Sequence, residues 1–274
     1  MSSLRAVGLL ITLVLLLSAC SRLEFAYEYG DWFAARRVAS YLDLDRDQRR
    51  DVRADLQAYR DFHRTERLPE VVALMDGAES LLDNPPPSRD ELETRFHAGE
   101  VLLRDTVEDL IPFAAATLRR LSPAQIAHLE QQLADGRTEY AEDIALQGAS
   151  RVIDRVESWT GDLSAAQQEQ FETCHGRLPD VTDQWLEWRA RRDQEFVTLL
   201  RGDPAPERIE TFLREWWLEA EARPEPLRQA RTESRAVWLD CTHGLLAGLH
   251  DQQRSNVRDR LRGYRDNFST LAGR

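Results

Sequence analysis

Leu121-Ser122-Pro123-Ala124-Gln125 is a helix start written in five residues. Ser122 suits the cap, where its hydroxyl takes the amide of the third helical residue. Pro123 suits the first helical position, where no backbone donor is needed. Gln125 is that third residue, and its side chain can return to the amide of Ser122, closing a reciprocal capping box. The pattern recurs. Leu163 to Gln167 repeats it with Ser164 and Gln167, and Leu44 to Gln48 offers a version with the carboxylate of Asp45 as cap for Gln48. In a fourth stretch, Leu249 to Gln253, Asp251 reads as a better cap than His250, so that copy is expected to depart from the pattern. A lost cap costs roughly 1 kcal/mol, so these elements mark helix starts before anything else.

The composition agrees with a helical chain. Among 274 residues, Leu, Ala, Glu, Arg and Gln abound, only 13 are Gly, and no sustained period-two alternation marks a strand. Helices are expected near 24–41, 46–83, 89–119, 123–158, 165–200, 206–222, 225–248 and 252–271. Within 165–200, Phe171, Cys174, Leu178, Val181, Trp185 and Trp188 recur at spacings of 3, 4, 3, 4 and 3, a packing seam between nearly antiparallel helices. Pro69 and Pro179 should each kink or interrupt a helix, and Pro112 should add a bend. Trp216 and Trp217 lie about 100 degrees apart on a helix, so one of them is expected at a groove, a subunit contact or a membrane interface.

The landmarks come twice in the same order. Leu44–Gln48 is matched by Leu163–Gln167, Arg67-Leu-Pro-Glu-Val71 by Arg177-Leu-Pro-Asp-Val181, and Ser80-Leu-Leu by Thr198-Leu-Leu. Leu92-Glu-Thr94 is matched by Ile209-Glu-Thr211, and Leu121–Gln125 by Leu249–Gln253. Offsets of 119, 110, 118, 117 and 128 residues imply a duplication with modest insertions. The expected fold is therefore all-α, an elongated or curved antiparallel helical bundle built from two duplicated halves. Residues 20–160 would form the first half and 161–274 the second, as one domain or two lobes.

At the amino terminus, Arg5 precedes an apolar run, Val7 to Leu17, too short to cross a bilayer as a permanent helix and shaped like a secretory signal. It ends in Leu17-Ser18-Ala19-Cys20, which resembles a bacterial lipobox. That resemblance implies removal of 1–19, lipidation of Cys20 with acylation of the new amino terminus, and, with Ser rather than Asp at 21, an outer-membrane anchor on the periplasmic side. The Leu-x-x-x-Gln repeats resemble the Leu-Thr-x-x-Gln motif of periplasmic stress chaperones of the Spy and CpxP type, with Ser, Asp or His in place of the Thr. Those proteins carry two copies per chain and dimerise into a curved cradle, so four copies here imply a fused, pseudo-dimeric version. The whole chain resembles an uncharacterised proteobacterial family of helical lipoproteins, with an aromatic start at Tyr27, Tyr29, Trp32 and Phe33.

Removing Arg5 with the signal takes the net charge from −12 to −13, which argues against binding nucleic acid. All 36 basic residues are Arg, so neither a Schiff-base lysine nor a phosphate-loop lysine is available. After lipidation of Cys20, Cys174 and Cys241 remain as an even pair in an oxidising compartment, and a disulfide between them is expected. An alternative comes from their neighbours. Glu172 with His175, and Asp240 with His243, each place a carboxylate three residues before a histidine, part of the ligand pattern of helical di-iron proteins. The chain lacks the common hydrolase, metalloprotease and redox motifs. The sequence thus predicts a non-enzymatic, lipid-anchored envelope protein without a cofactor that binds polypeptide clients or an envelope partner. The alternatives are a metal-binding bundle and an assembly lipoprotein with one dedicated partner.

Overall fold

The structure is a computed structural model that describes residues 25–83, 85–145 and 149–273. Cys20 and the segment before it lie outside the described residues. The described residues form eleven α-helices and no strand. They are α1 (Gly30–Tyr41), α2 (Arg46–Phe62), α3 (Leu68–Glu79), α4 (Arg89–Leu118), α5 (Pro123–Ala145) and α6 (Ala149–Thr160). Then come α7 (Ala165–Gly176), α8 (Thr182–Arg201), α9 (Pro206–Trp217), α10 (Glu225–Gly248) and α11 (Asp251–Ala272).

The two prolines at matched places act differently. Before Pro69 the helix widens into a π turn, His63–Arg67, in which the amide of Leu68 reaches the carbonyl of His63. The wider ring accommodates the residue that has no donor and lets the axis continue into α3. Around Pro179 the chain leaves the helix altogether between Gly176 and Thr182. The helix expected over 165–200, with Pro179 to kink or interrupt it, is two helices, α7 and α8, and the seam from Phe171 to Trp188 runs across the break. Pro112 is carried inside a continuous α4 of 30 residues.

The two halves interlock. In the contacts, α2 and α3 answer to α7 and α8, α4 answers to α9 with α10, and α5 answers to α11. The last helix of each half packs on the other half: α5 lies along α8, and α11 lies along α3. α4 runs against both α9 and α10. α6 packs on α7 as α1 packs on α2, so by its contacts it stands with the second half. One large core unites Leu44, Val52, Ile111, Leu129, Phe196 and Leu213, drawn from both halves. Three smaller cores sit at the other pole, around Leu239, around Phe171 and around Cys241.

All four Leu-x-x-x-Gln elements are helix starts with a reciprocal bond between cap and glutamine. The fourth corrects the expectation for Asp251. His250 is the cap, its Nδ1 accepting the amide of Gln253, and Asp251 is the first helical residue. A neutral imidazole nitrogen is an acceptor, and it stands where the hydroxyl stands in the other copies.

Candidate functional site

The glutamines of the four elements do more than cap. Gln48 and Gln125 face each other, Gln48 Nε2 donating to Gln125 Oε1 at 3.2 Å and Gln125 Nε2 to Gln48 Oε1 at 2.6 Å. Gln167 and Gln253 form the same reciprocal pair at 3.0 and 3.1 Å. Each amide also donates to a carbonyl just before its partner's motif: Gln125 to Asp43, Gln48 to Arg120, Gln167 to Gly248 and Gln253 to Asp162. Each Oε1 takes its own cap's amide besides. Every donor and acceptor of these amides is used, which is what a buried polar pair requires. The first pair joins the start of α2 to the start of α5, and the second joins α7 to α11. The sequence held a signal for this pairing. A capping box accepts Glu as readily as Gln, yet all four copies use the amide, the only version with donors to spare. A fifth box, Ser88 with Glu91 at the start of α4, uses a carboxylate and makes no such pair.

Between the halves lies an apolar cleft of about 740 Å³. Val38 and Tyr41 of α1, Val52 and Leu56 of α2, and Phe113 and Ala114 of α4 form one wall. Trp185, Trp188 and Phe196 of α8, with Trp216 and Trp217 of α9, form the other. Its floor is the large core. Trp188 is buried, and Trp185 leans on it with ring centroids 5.0 Å apart. Phe196, Phe212 and Trp216 form an aromatic cluster with centroids 5.4 to 5.7 Å apart, and Arg192 stands 4.0 Å over Phe212. Of the adjacent tryptophans, Trp216 packs inward and Trp217 is exposed at the cleft, the division that helical geometry demands.

The charged groups of the lining are Arg37, Arg189 and Arg223 against a single carboxylate, Asp55. Arg189 lies over the ring of Tyr140 at 5.8 Å. Burial holds the Arg223 guanidinium below its ordinary value, with repulsion from Arg231 adding to it. Burial also raises the Tyr41 phenol. Beneath this wall, Asp193 of α8 is buried and paired with Arg137 of α5. Burial pushes its carboxyl above the usual range, against the opposing pull of Arg137. Nothing in the sequence singled out Arg223 or Asp55, which only the interlocking of the halves brings to one cavity. Among the described residues the lining is apolar and aromatic, with the hydroxyls of Tyr41 and Thr117 beside the four charged groups.

At the opposite pole, Cys174 of α7 and Cys241 of α10 are disulfide-bonded, their Cα atoms 6.2 Å apart. The alternative metal ligands beside them do not assemble. Asp240 is held by Arg89 at 3.1 Å and Arg177 at 3.3 Å, and Glu172 is an exposed residue. Among the described residues no group of three or more His, Cys, Asp or Glu is placed to hold a metal, and this covers Glu172, His175, Asp240 and His243. No helix among the described residues is long and apolar enough to cross a membrane.

Residues 40–222 match a sequence family described as a family of unknown function, DUF6279. The chain belongs to DUF6279. The matched stretch runs from the end of α1 to the turn after α9 and so contains the whole lining of the cleft except Arg37, Val38 and Arg223. Neither a curated protein nor a solved structure matches the chain.

Proposed function

We propose that this DUF6279 protein is a non-enzymatic lipoprotein, anchored through Cys20 in the outer membrane and facing the periplasm, that holds apolar segments of other polypeptides in the cleft between its halves. The observation that carries the reading is the cleft itself. An apolar cavity of about 740 Å³ falls within the roughly 300–1,000 Å³ typical of ligand sites, and its few charges sit among aromatic walls. The interlocked halves support the likeness to Spy and CpxP-type chaperones, because a chain carrying four capping motifs in two pairs builds by itself the twofold body that those proteins build by dimerising.

Two features support the tether. The lipobox-like stretch ends at Cys20, five residues before Phe25. Phe25, Tyr29, Trp32 and Phe33 then form an exposed aromatic stripe, while Asp31, Ala35 and Ala39 face inward. Aromatic side chains beside an acyl anchor suit the headgroup layer of a membrane.

The reading is tested by the aggregation of reduced, unfolded lysozyme in the presence of the chain. Suppression at equimolar ratio is expected, and it should fall at least threefold on Trp188→Ala or on filling the cleft with Ala114→Trp. Undiminished aggregation with the native chain would overturn the chaperone-like reading. In-cell crosslinking with mass spectrometry then separates many clients from one dedicated partner.

A further inference from the structure

Two donors in the cleft have nothing to donate to. Arg223 follows the short 3₁₀ turn Ala220–Ala222, and its guanidinium stands 5.7 Å from the ring centroids of both Trp185 and Trp188. Its Nε is sealed from solvent without a partner, and so is the indole Nε1 of Trp185. Arg60, Arg64 and Arg192 also have an Nε sealed without a partner, yet each spends its outer nitrogens on a carboxylate, Arg192 on Glu195, whereas Arg223 has none. Arg60 pairs with Asp31, Arg64 with Glu28, Arg67 with Asp109 and Arg137 with Asp193, while Arg254 spends its donors on the carbonyls of Leu82, Leu246 and Leu249. No carboxylate among the described residues pairs with Arg223.

Arg223 is part-buried, and an unpaired guanidinium set among aromatic rings favours an anion that can pair with its outer nitrogens. The chain is strongly acidic, yet three arginines and one aspartate line this cavity. Arg37 and Arg189, like Arg223, make no ion pair among the described residues. The charge of the cleft is therefore complementary to an anion, and its apolar walls to a hydrophobic body carried beside that anion. A polypeptide carboxyl terminus unites both on one residue, with the apolar side chain and the carboxylate on the same Cα. The cavity holds a few residues, which suits a chain end better than a segment threaded through.

We infer that the cleft captures the carboxyl-terminal end of an apolar polypeptide, its terminal carboxylate held by the Arg223 guanidinium and its last side chains placed against Trp188, Phe196 and Phe113. This rests on the reading of the cleft as a polypeptide site and names what the site reads. Backbone carboxylate capture is an established recognition mode, and the guanidinium fork fits it.

The test uses the full-length chain in nanodiscs and two fluorescent hexapeptides of Ala, Leu and Phe ending in Phe, one with a free carboxylate and one amidated, read by anisotropy against empty nanodiscs. The free acid is expected to bind at least tenfold more tightly than the amide. Arg223→Met should bring the acid down to the level of the amide without weakening the amide, and Arg223→Lys should restore part of the preference. Equal binding of acid and amide, or a preference that survives Arg223→Met, overturns the carboxylate site and leaves the cleft as a polypeptide site. Binding of neither peptide overturns both.

Discussion

The two poles of the molecule start from one plan and finish differently. Seven residues after Gln167 comes Cys174, and twelve residues before Gln253 comes Cys241; the disulfide between them closes α7 onto α10. At the same steps in the first half, seven after Gln48 and twelve before Gln125, stand Asp55 and Phe113. Both of these line the cleft. Where the second half is stitched covalently, the first half leaves room. The same division shows in the helix that crosses each pole. α5 lies on α8 over the buried Arg137–Asp193 pair and the tryptophans, whereas α11 lies on α3 through a surface network in which Arg258, Arg262 and Arg265 converge on Glu79. A duplicated scaffold can keep its paired glutamine clasps at both poles and spend the freedom between them on closure at one and a cavity at the other.

The largest expected effect breaks the closed pole. The disulfide spans 67 residues, so Cys174→Ala with Cys241→Ala should cost about 4 kcal/mol in the chain-entropy account. Hydrogen exchange should then rise first in α7 and α10 while α2 and α4 keep their protection. Equal loosening of both poles would mean that the poles are not separate units.

Next comes the buried pair under the open pole. Arg137→Met leaves Asp193 covered and uncompensated, and about 3 kcal/mol of destabilisation in urea at pH 7 is expected. Because burial already holds the Asp193 carboxyl above its ordinary value, the folded chain binds this proton more tightly than the unfolded one. Stability from the group is thus lost as pH rises through and above the usual carboxylate range, and removing Arg137 widens that window. The penalty should therefore be smaller at pH 4 than at pH 7; a penalty that grows on acidification contradicts the assignment.

The clasps offer a finer comparison. Gln253 is 1% exposed and its partner Gln167 is buried, whereas Gln48 is half-buried, so Gln253→Ala should cost roughly 2 kcal/mol and Gln48→Ala about half as much. Gln253→Glu removes two donors at nearly constant shape and should resemble Gln253→Ala in thermal unfolding. The smallest effect concerns the tether. In nanodiscs containing brominated lipid, Trp32→Phe should remove the quenchable part of the fluorescence and leave stability within about 0.5 kcal/mol of the native chain. Quenching that is unchanged would place the aromatic stripe away from the bilayer.

Much of this was legible in the residues. The caps at Asp45, Ser122 and Ser164 set helix starts because capping is local chemistry, and Pro179 ends a helix for an equally local reason. The reading went wrong at His250, where a rarer acceptor took the cap; at 165–200 the interruption expected at Pro179 is a full break, so two helices share the seam. The cleft was not legible. Its walls come from α1, α2, α4, α5, α8 and α9, and only the crossing of α5 onto α8 turns an ordinary tryptophan seam into one side of a cavity. Arg223 gave no local sign, since an arginine without a partner looks like any other until its neighbours are in place.

The central claim is that the open pole receives a polypeptide and the closed pole does not. Hydrogen exchange of the full-length chain, with and without unfolded lysozyme, tests it most directly. Added protection is expected in 38–56, 110–118 and 185–189, with 165–176 and 238–246 unchanged. Protection confined to the disulfide pole, or none at either, would contradict the account.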